Sequence, residues 1–244
     1  MEILGSEFSL NEGIFVISDS ELSSLQLSEK DKNLVKPHYT TKQLGRYYGN
    51  INNNEWVIYT DSSFKDKNKI HEYTAIKEHL DKFVEVITSD NSPYGLHRAK
   101  PEKFFKGEKI VSLRKCSKRP VFTYTDFDCY VSATFFVIKP DDINLKYLTA
   151  VLNSKLIAFW LWNKGKRQGN NYQVDKGPLM GLPIVRTHKN ESDIIDALDR
   201  VLEVKKKDKK ADISTIEQKI DQLVYQIYAL SPEEIQIIED SVPR

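Results

Sequence analysis

A mixed α/β domain, its mixed sheet flanked by helices and followed by a helical C-terminal segment, is the fold class this sequence predicts. Three observations lead there. Runs rich in β-branched and aromatic residues recur through roughly residues 10–187. Runs with apolar residues every three or four positions lie between them, and after Arg186 only this second kind continues. The expected organisation is therefore an α/β part over residues 1–187 and a helical segment over 188–244 that packs on it or on a partner. A chain of 244 residues with 40% hydrophobic and 29% charged residues has enough apolar material for such a core without a metal or a disulfide.

In order, the strand-like runs are 14–17, 56–60, 109–113, 121–125, 130–138 and 182–185. The first helical run places Ile70, Tyr73, Ile76, Leu80 and Phe83 on one face after a cap at Asn68. The second places Leu145, Leu148, Leu152, Leu156 and Phe159 on one face after Asn144, and its Asn153-Ser154 pair can end one helix and cap the next. Past Arg186, Ile194, Leu198, Val201 and Leu202 form one stripe, and Ile213, Ile216, Ile220, Leu223, Val224 and Ile227 another. Between the stripes, residues 205–210 hold five lysines and Asp208, an exposed helix end or turn. Ser231-Pro232-Glu233-Glu234 combines a cap, a first-turn proline and a carboxylate for a last short helix.

No run approaches the roughly 18 apolar residues of a membrane span, and the N-terminus lacks a basic-then-apolar leader, so a cytoplasmic protein is expected. Cys116 and Cys129 show no CxxC or metal-ligand spacing and read as reduced thiols. The formal charge of +1 conceals a segregation. Residues 98–189 carry 18 basic against 7 acidic residues, while both flanks are net acidic. Nine of the cations fall between Arg98 and Arg119, and others surround Lys164, Lys166 and Arg167. Clustering of this kind suits a polyanion, because each neutralised phosphate releases condensed counterions.

Catalytic patterns fail on spacing. His71-Glu72 opens like a zincin helix, but the next histidine, His79, is eight residues on instead of four. Pro140-Asp141 with Glu203-Val204-Lys205 spells a nuclease-like pair whose second half falls on a helical stretch. Asn91-Ser92-Pro93-Tyr94 lacks the first proline of the Pro-Pro-Tyr motif that holds a flipped adenine, and no glycine-rich strand-to-helix turn for S-adenosylmethionine accompanies it. Gly165-Lys166 lacks the rest of a phosphate-binding loop. The run 162–173 mixes cations, side-chain amides, aromatics and two glycines with no carboxylate or imidazole, which suits reading of base edges better than acid–base chemistry.

The runs 147–156 and 169–179 with Leu182-Pro183-Ile184 resemble the TaqI-like C-terminal specificity domain. Further matches are Leu34 to Tyr39, Arg46-Tyr47-Tyr48, Trp56 to Tyr59, Leu96-His97-Arg98 and the run from Phe104 to Val111, and the tail from Ile220 to Glu234 looks like the helical ending of fused restriction-modification enzymes. The resemblance implies a target recognition domain on double-stranded DNA. Its partner would be an adenine N6 methyltransferase catalytic domain or subunit, and S-adenosylmethionine would belong to that partner, with no cofactor or metal in this chain. Whether this chain is a fragment of a fused enzyme or a separate subunit stays open.

The expected DNA-contacting residues are Arg98, Lys100, Lys106, Arg114, Lys115, Lys118, Arg119, Lys164, Lys166, Arg167, Gln168, Asn170, Asn171, Tyr172 and Gln173, with no catalytic residue among them. Two rivals remain: a magnesium-dependent nuclease using Asp141, Glu203 and Lys205, and a protein-interaction module of a phage-defence complex built on the C-terminal stripes.

Overall fold

A computed structural model describes residues 13–117, 119–169, 171–186 and 190–242, with the backbone alone at 167 and 168. In chain order its elements begin with β1 (Val16–Ser18), α1 (Asp19–Ser24), α2 (Glu29–Lys32), β2 (Val35–Tyr39), β3 (Tyr47–Tyr48), β4 (Glu55–Ile58) and α3 (Thr74–Asp81). There follow β5 (Lys109–Leu113), β6 (Lys115–Cys116), β7 (Phe122–Thr125), β8 (Tyr130–Val131) and β9 (Phe135–Ile138). The chain then runs through α4 (Leu145–Asn153), α5 (Lys155–Lys164), β10 (Lys166–Gln168), β11 (Asn171–Gln173), α6 (Lys176–Met180), α7 (Glu191–Lys207), α8 (Ser214–Ile227) and α9 (Pro232–Ser241). Two compact units result, one from residues 13–39 and 52–104, the other from 40–51 and 105–242.

In the first unit β4 pairs antiparallel with β1 and with β2. Ser18 and Ser28 start α1 and α2 with full capping boxes, each serine accepting from the third backbone N–H while Glu21 and Asp31 reach back. Ile17, Ile58, Phe64, Ile70, Ile76 and Leu80 form the core. The helix expected after Asn68 is split: residues 69–72 make a 3₁₀ turn, and α3 begins only after Tyr73. Asn68 makes no capping bond; instead its own N–H is held by the Asp66 carboxylate at 2.9 Å.

The second unit carries a mixed sheet in the order β3-β7-β5-β9, with β3 parallel to β7 and the other pairs antiparallel. Helix α4 packs on it through Tyr147, Leu148 and Val151, and α7 and α8 add Ile194, Leu198, Val201, Ile220 and Val224 to the same core. Asn144 caps α4, accepting from Lys146 N–H at 2.9 Å and Tyr147 N–H at 3.1 Å, and Ser154 caps α5. The expected break at Asn153-Ser154 is therefore present, and it also ties helix to sheet. The buried Asn153 amide donates to the Phe122 carbonyl at 2.7 Å and accepts from the Phe122 N–H at 3.1 Å. The capping box at Ser231 forms as expected, and Ile238 of α9, Ala158 of α5 and Tyr225 of α8 share one buried cluster.

Two strand expectations are corrected. Residues 182–185 follow α6 without pairing: Pro183 has no N–H to donate, and the Ile184 N–H turns back to the Leu182 carbonyl at 2.9 Å. Leu182 is nonetheless buried, and the Val185 carbonyl accepts from the Tyr147 hydroxyl at 2.7 Å. The run 130–138 is two strands, β8 and β9, separated by a turn in which the Phe135 N–H donates to the Ser132 carbonyl at 3.1 Å. Among the described residues no helix is long and apolar enough to cross a membrane.

Candidate nucleic-acid interface

The polar run 162–173 is the end of α5 followed by a β-hairpin. Gly169, at φ +60°, occupies the turn between β10 and β11, a backbone region that glycine enters without strain. The signal was present in the sequence, since Gly169-Asn170 between two short polar runs is a two-residue hairpin connection. Strand β11 pairs on its other side with β6, giving the order β10-β11-β6. The hairpin thereby joins the two basic segments that lie about fifty residues apart in the chain.

Register decides which residues work together. Gln173 stands opposite Lys166 on one side and Lys115 on the other, a row of cation, amide and cation across three strands. Such a row spans about 10 Å, twice the interstrand spacing. Lys115 and Lys166 are exposed and Gln173 is half-buried; Asn171, two positions along and so on the same face, is exposed. Between them Tyr172, paired with Cys116, points the other way. Both are buried, and the Trp162 ring meets Tyr172 edge-on at 5.6 Å. Burial pushes the Tyr172 hydroxyl far above its ordinary range and raises the Cys116 thiol to about 11. The sheet therefore has an apolar underside and a basic, amide-bearing outer face.

The other expected contacts divide. Tyr172 is corrected from a surface residue to a core one, because the strand alternates and its side chain takes the inward position. Arg119 is half-buried and donates through Nη2 to the Asn153 carbonyl at 2.8 Å, fastening the segment after β6 to the α4–α5 break. Arg114 is half-buried; its Nη1 donates to the Ala133 carbonyl at 3.1 Å, and its guanidinium carbon lies 4.8 Å from the Phe136 ring centre. Sequence reasoning did not single out Ser132, Ala133, Thr134 or Phe136, which carry no charge and fall within a run read as one strand. Lys164 is exposed at the end of α5, its ammonium 5.8 Å from the Trp160 ring.

Lys106 is exposed, and its carbonyl accepts from the Lys139 ammonium at 2.7 Å. Arg98 and Lys100 belong to the first unit and are exposed, Arg98 at φ +51° in a turn and Lys100 with its carbonyl accepting from the Tyr59 hydroxyl. Lys118 and Asn170 lie outside the described residues, and for Arg167 and Gln168 the register alone is described, opposite Tyr172 and Asn171.

The catalytic look-alikes have other occupations. The Asn91 side-chain amide donates to the Leu96 carbonyl at 2.8 Å and the Tyr94 hydroxyl to Asp81 at 2.7 Å, so this segment holds a turn together. Lys205 donates to the Ala211 carbonyl at 2.8 Å, closing the turn after α7. Among the described residues no group of three His, Cys, Asp or Glu is placed to hold a metal.

A one-sided sheet bearing lysines and amides on a mixed α/β scaffold defines a module that meets a polyanion with some power to discriminate. The model of the TaqI-like C-terminal specificity domain matches residues 36–184, and the chain belongs to that family. Membership makes it a DNA recognition module of restriction-modification enzymes. None of the curated proteins matches the chain. Among solved structures, that of the Type IIL restriction-modification enzyme MmeI in complex with DNA is similar in fold, with a TM-score of 0.68 and 15% identity over 94% of this chain. The chain spans 34% of that enzyme's length.

Proposed function

We infer that this chain reads the target sequence for an adenine N6 methyltransferase or a fused restriction enzyme, in the cytoplasm, and that the chemistry resides in a catalytic domain or subunit beside it. One observation carries the reading: the register that sets Gln173 between Lys115 and Lys166, with Asn171 on the same face. Lysines neutralise phosphates and fix position on the duplex, whereas Asn and Gln amides can pair bidentately with the N6 and N7 edge of adenine in the major groove. S-adenosylmethionine fits the partner better than this chain. Among the described residues Gly107 and Gly169 lie in turns at positive φ and Gly165 and Gly181 at helix ends, and the one connection that carries a strand into a glycine-bearing helix start, β11 into α6, holds Gly177 alone instead of a glycine-rich turn.

The test is an anisotropy titration on duplex DNA at rising salt. If the basic segments engage about five phosphates, log K against log salt falls with a slope of roughly −4 to −5. A slope near zero would remove the electrostatic part of the reading, and micromolar S-adenosylmethionine binding by this chain alone would remove the division of labour.

A further inference from the structure

Beside the basic face lies a turn with no role assigned so far. Ser132, Ala133 and Thr134 are all exposed, and the Ser132 hydroxyl donates to that of Thr134 at 3.0 Å. The backbone of Arg114 joins this turn to the sheet. Its N–H donates to the Thr134 carbonyl at 3.0 Å, and its own carbonyl accepts from the Val174 N–H at 2.8 Å, one residue beyond Gln173. Turn 132–134, Arg114 and the Lys115–Gln173–Lys166 row are thus one hydrogen-bonded strip.

The Arg114 side chain is held from two directions. The Ala133 carbonyl takes one of its five N–H donors, and the Phe136 ring lies 4.8 Å from its guanidinium carbon. A bond to one carbonyl would leave the fork free to rotate about that contact; a ring alongside fixes its plane. Among the described residues nothing else takes its remaining donors, which are held in a geometry that loses little freedom when it pairs. Phe136 is itself seated by the sheet, opposite Ser112 in the β5–β9 register. A pre-set guanidinium is the group that recognises the O6 and N7 edge of guanine bidentately.

We propose that turn 132–134 is a second reading element continuous with the sheet, in which Arg114 meets a guanine edge and Phe136 is the positioning residue that sets its plane. This rests on the reading that the outer face of the three-stranded sheet meets duplex DNA. Thr134 and Ser132 then stand beside the contacted base pair, where a hydroxyl and a methyl group can test the neighbouring step.

The experiment uses the whole chain, a duplex it selects from a core-randomised library, and a scrambled duplex of equal length. Arg114→Ala and Phe136→Leu should each lower affinity for the selected duplex about tenfold while moving the scrambled one by less than about twofold. Phe136→Tyr, which keeps the ring, should restore binding, and the double variant R114A/F136L should bind no more weakly than R114A alone. Equal losses on both duplexes for Phe136→Leu, or fully additive losses in the double variant, would show that Phe136 only packs. If Arg114→Ala keeps the selected affinity while Asn171→Ala loses it, the turn fails and the sheet reading stands. If neither loses selectivity, or no sequence is selected, both fall together.

Discussion

The four-stranded and three-stranded sheets of the second unit are built on one run of chain, yet they bury their residues differently. Lys109, Ile110, Val111 and Ser112 are consecutive and all fully buried, so both faces of β5 are covered, and all four residues of β7 are buried likewise. Past a bend at Arg114, Lys115 is exposed and Cys116 buried, and the opposing β11 alternates in step. The same stretch passes from a strand covered on both faces to one that packs with one face and leaves the other open to solvent. Rigidity is lent across the bend: a side chain on β6 or β11 is held by a strand whose continuation lies in the core.

The strongest way to break this contrast is to remove what the working sheet stands on. Tyr172→Ala should cost about 3–5 kcal/mol in urea unfolding, the range for deleting a buried aromatic, with DNA selectivity lost even where the chain still folds. Tyr172→Phe should cost almost nothing, because the buried hydroxyl has no hydrogen-bond partner among the described residues. A large loss for Phe would mean that an ordered water or another group serves that oxygen.

A smaller effect sharpens the division within the outer face. Asn171→Ala should cost about 1–3 kcal/mol on the selected duplex and little on random DNA, whereas Lys115→Ala should weaken both about equally and reduce the salt slope by about one. Competition titrations on the two duplexes separate these outcomes. Equal behaviour of the two variants would leave the face as a docking surface and move base reading elsewhere.

The smallest effect concerns the supporting sheet. Burial pulls the Lys109 ammonium down to about 8, aided by the charge of Lys139 and opposed by Cys129, Asp128 and Asp126. Its nitrogen donates to the Gly107 and Phe127 carbonyls, both at 2.6 Å, and a neutral amine keeps two donors for two acceptors. Because the folded value lies below the unfolded one, the unfolded chain binds more protons, and stability should rise as pH climbs above about 8. The buried Cys129 thiol, raised to about 12, works in the opposite sense once pH passes its ordinary value near 9. Unfolding midpoints at pH 7, 8 and 9 should rise gently for the native chain and stay flat for Lys109→Met; a rise of equal size in both would assign it to another group.

Local signals were the legible part of this fold. The stripes of α4, α7 and α8 and the caps at Asn144, Ser154 and Ser231 declare themselves within a few residues, because helical period and capping chemistry need no distant partner. Strands β3 and β6, two residues each, exist only through β7 and β11 and leave no periodic trace. The candidate interface was half legible. Composition marked both basic segments, but only pairing shows that Lys115 and Lys166 flank the same glutamine. Tyr172 was misplaced because a polar run was read for its content and not for its alternation, and the turn 132–134 was hidden inside what looked like one strand.

The path of the chain between the two units bears on how such modules can be inherited. Residues 40–51 belong with 105–242, although 52–104 intervene, and they bring β3 to its parallel partner β7. Any single genetic exchange between relatives with its breakpoint in 52–104 would seat one parent's Tyr47 and Tyr48 against the other parent's Thr123 and Tyr124. By contrast, the β10–β11 hairpin begins at Lys166 and ends at Gln173, which stand side by side, so a short replacement there has both its ends already closed. Lineages of this domain should therefore diversify by small changes at the hairpin tip more readily than by trading halves.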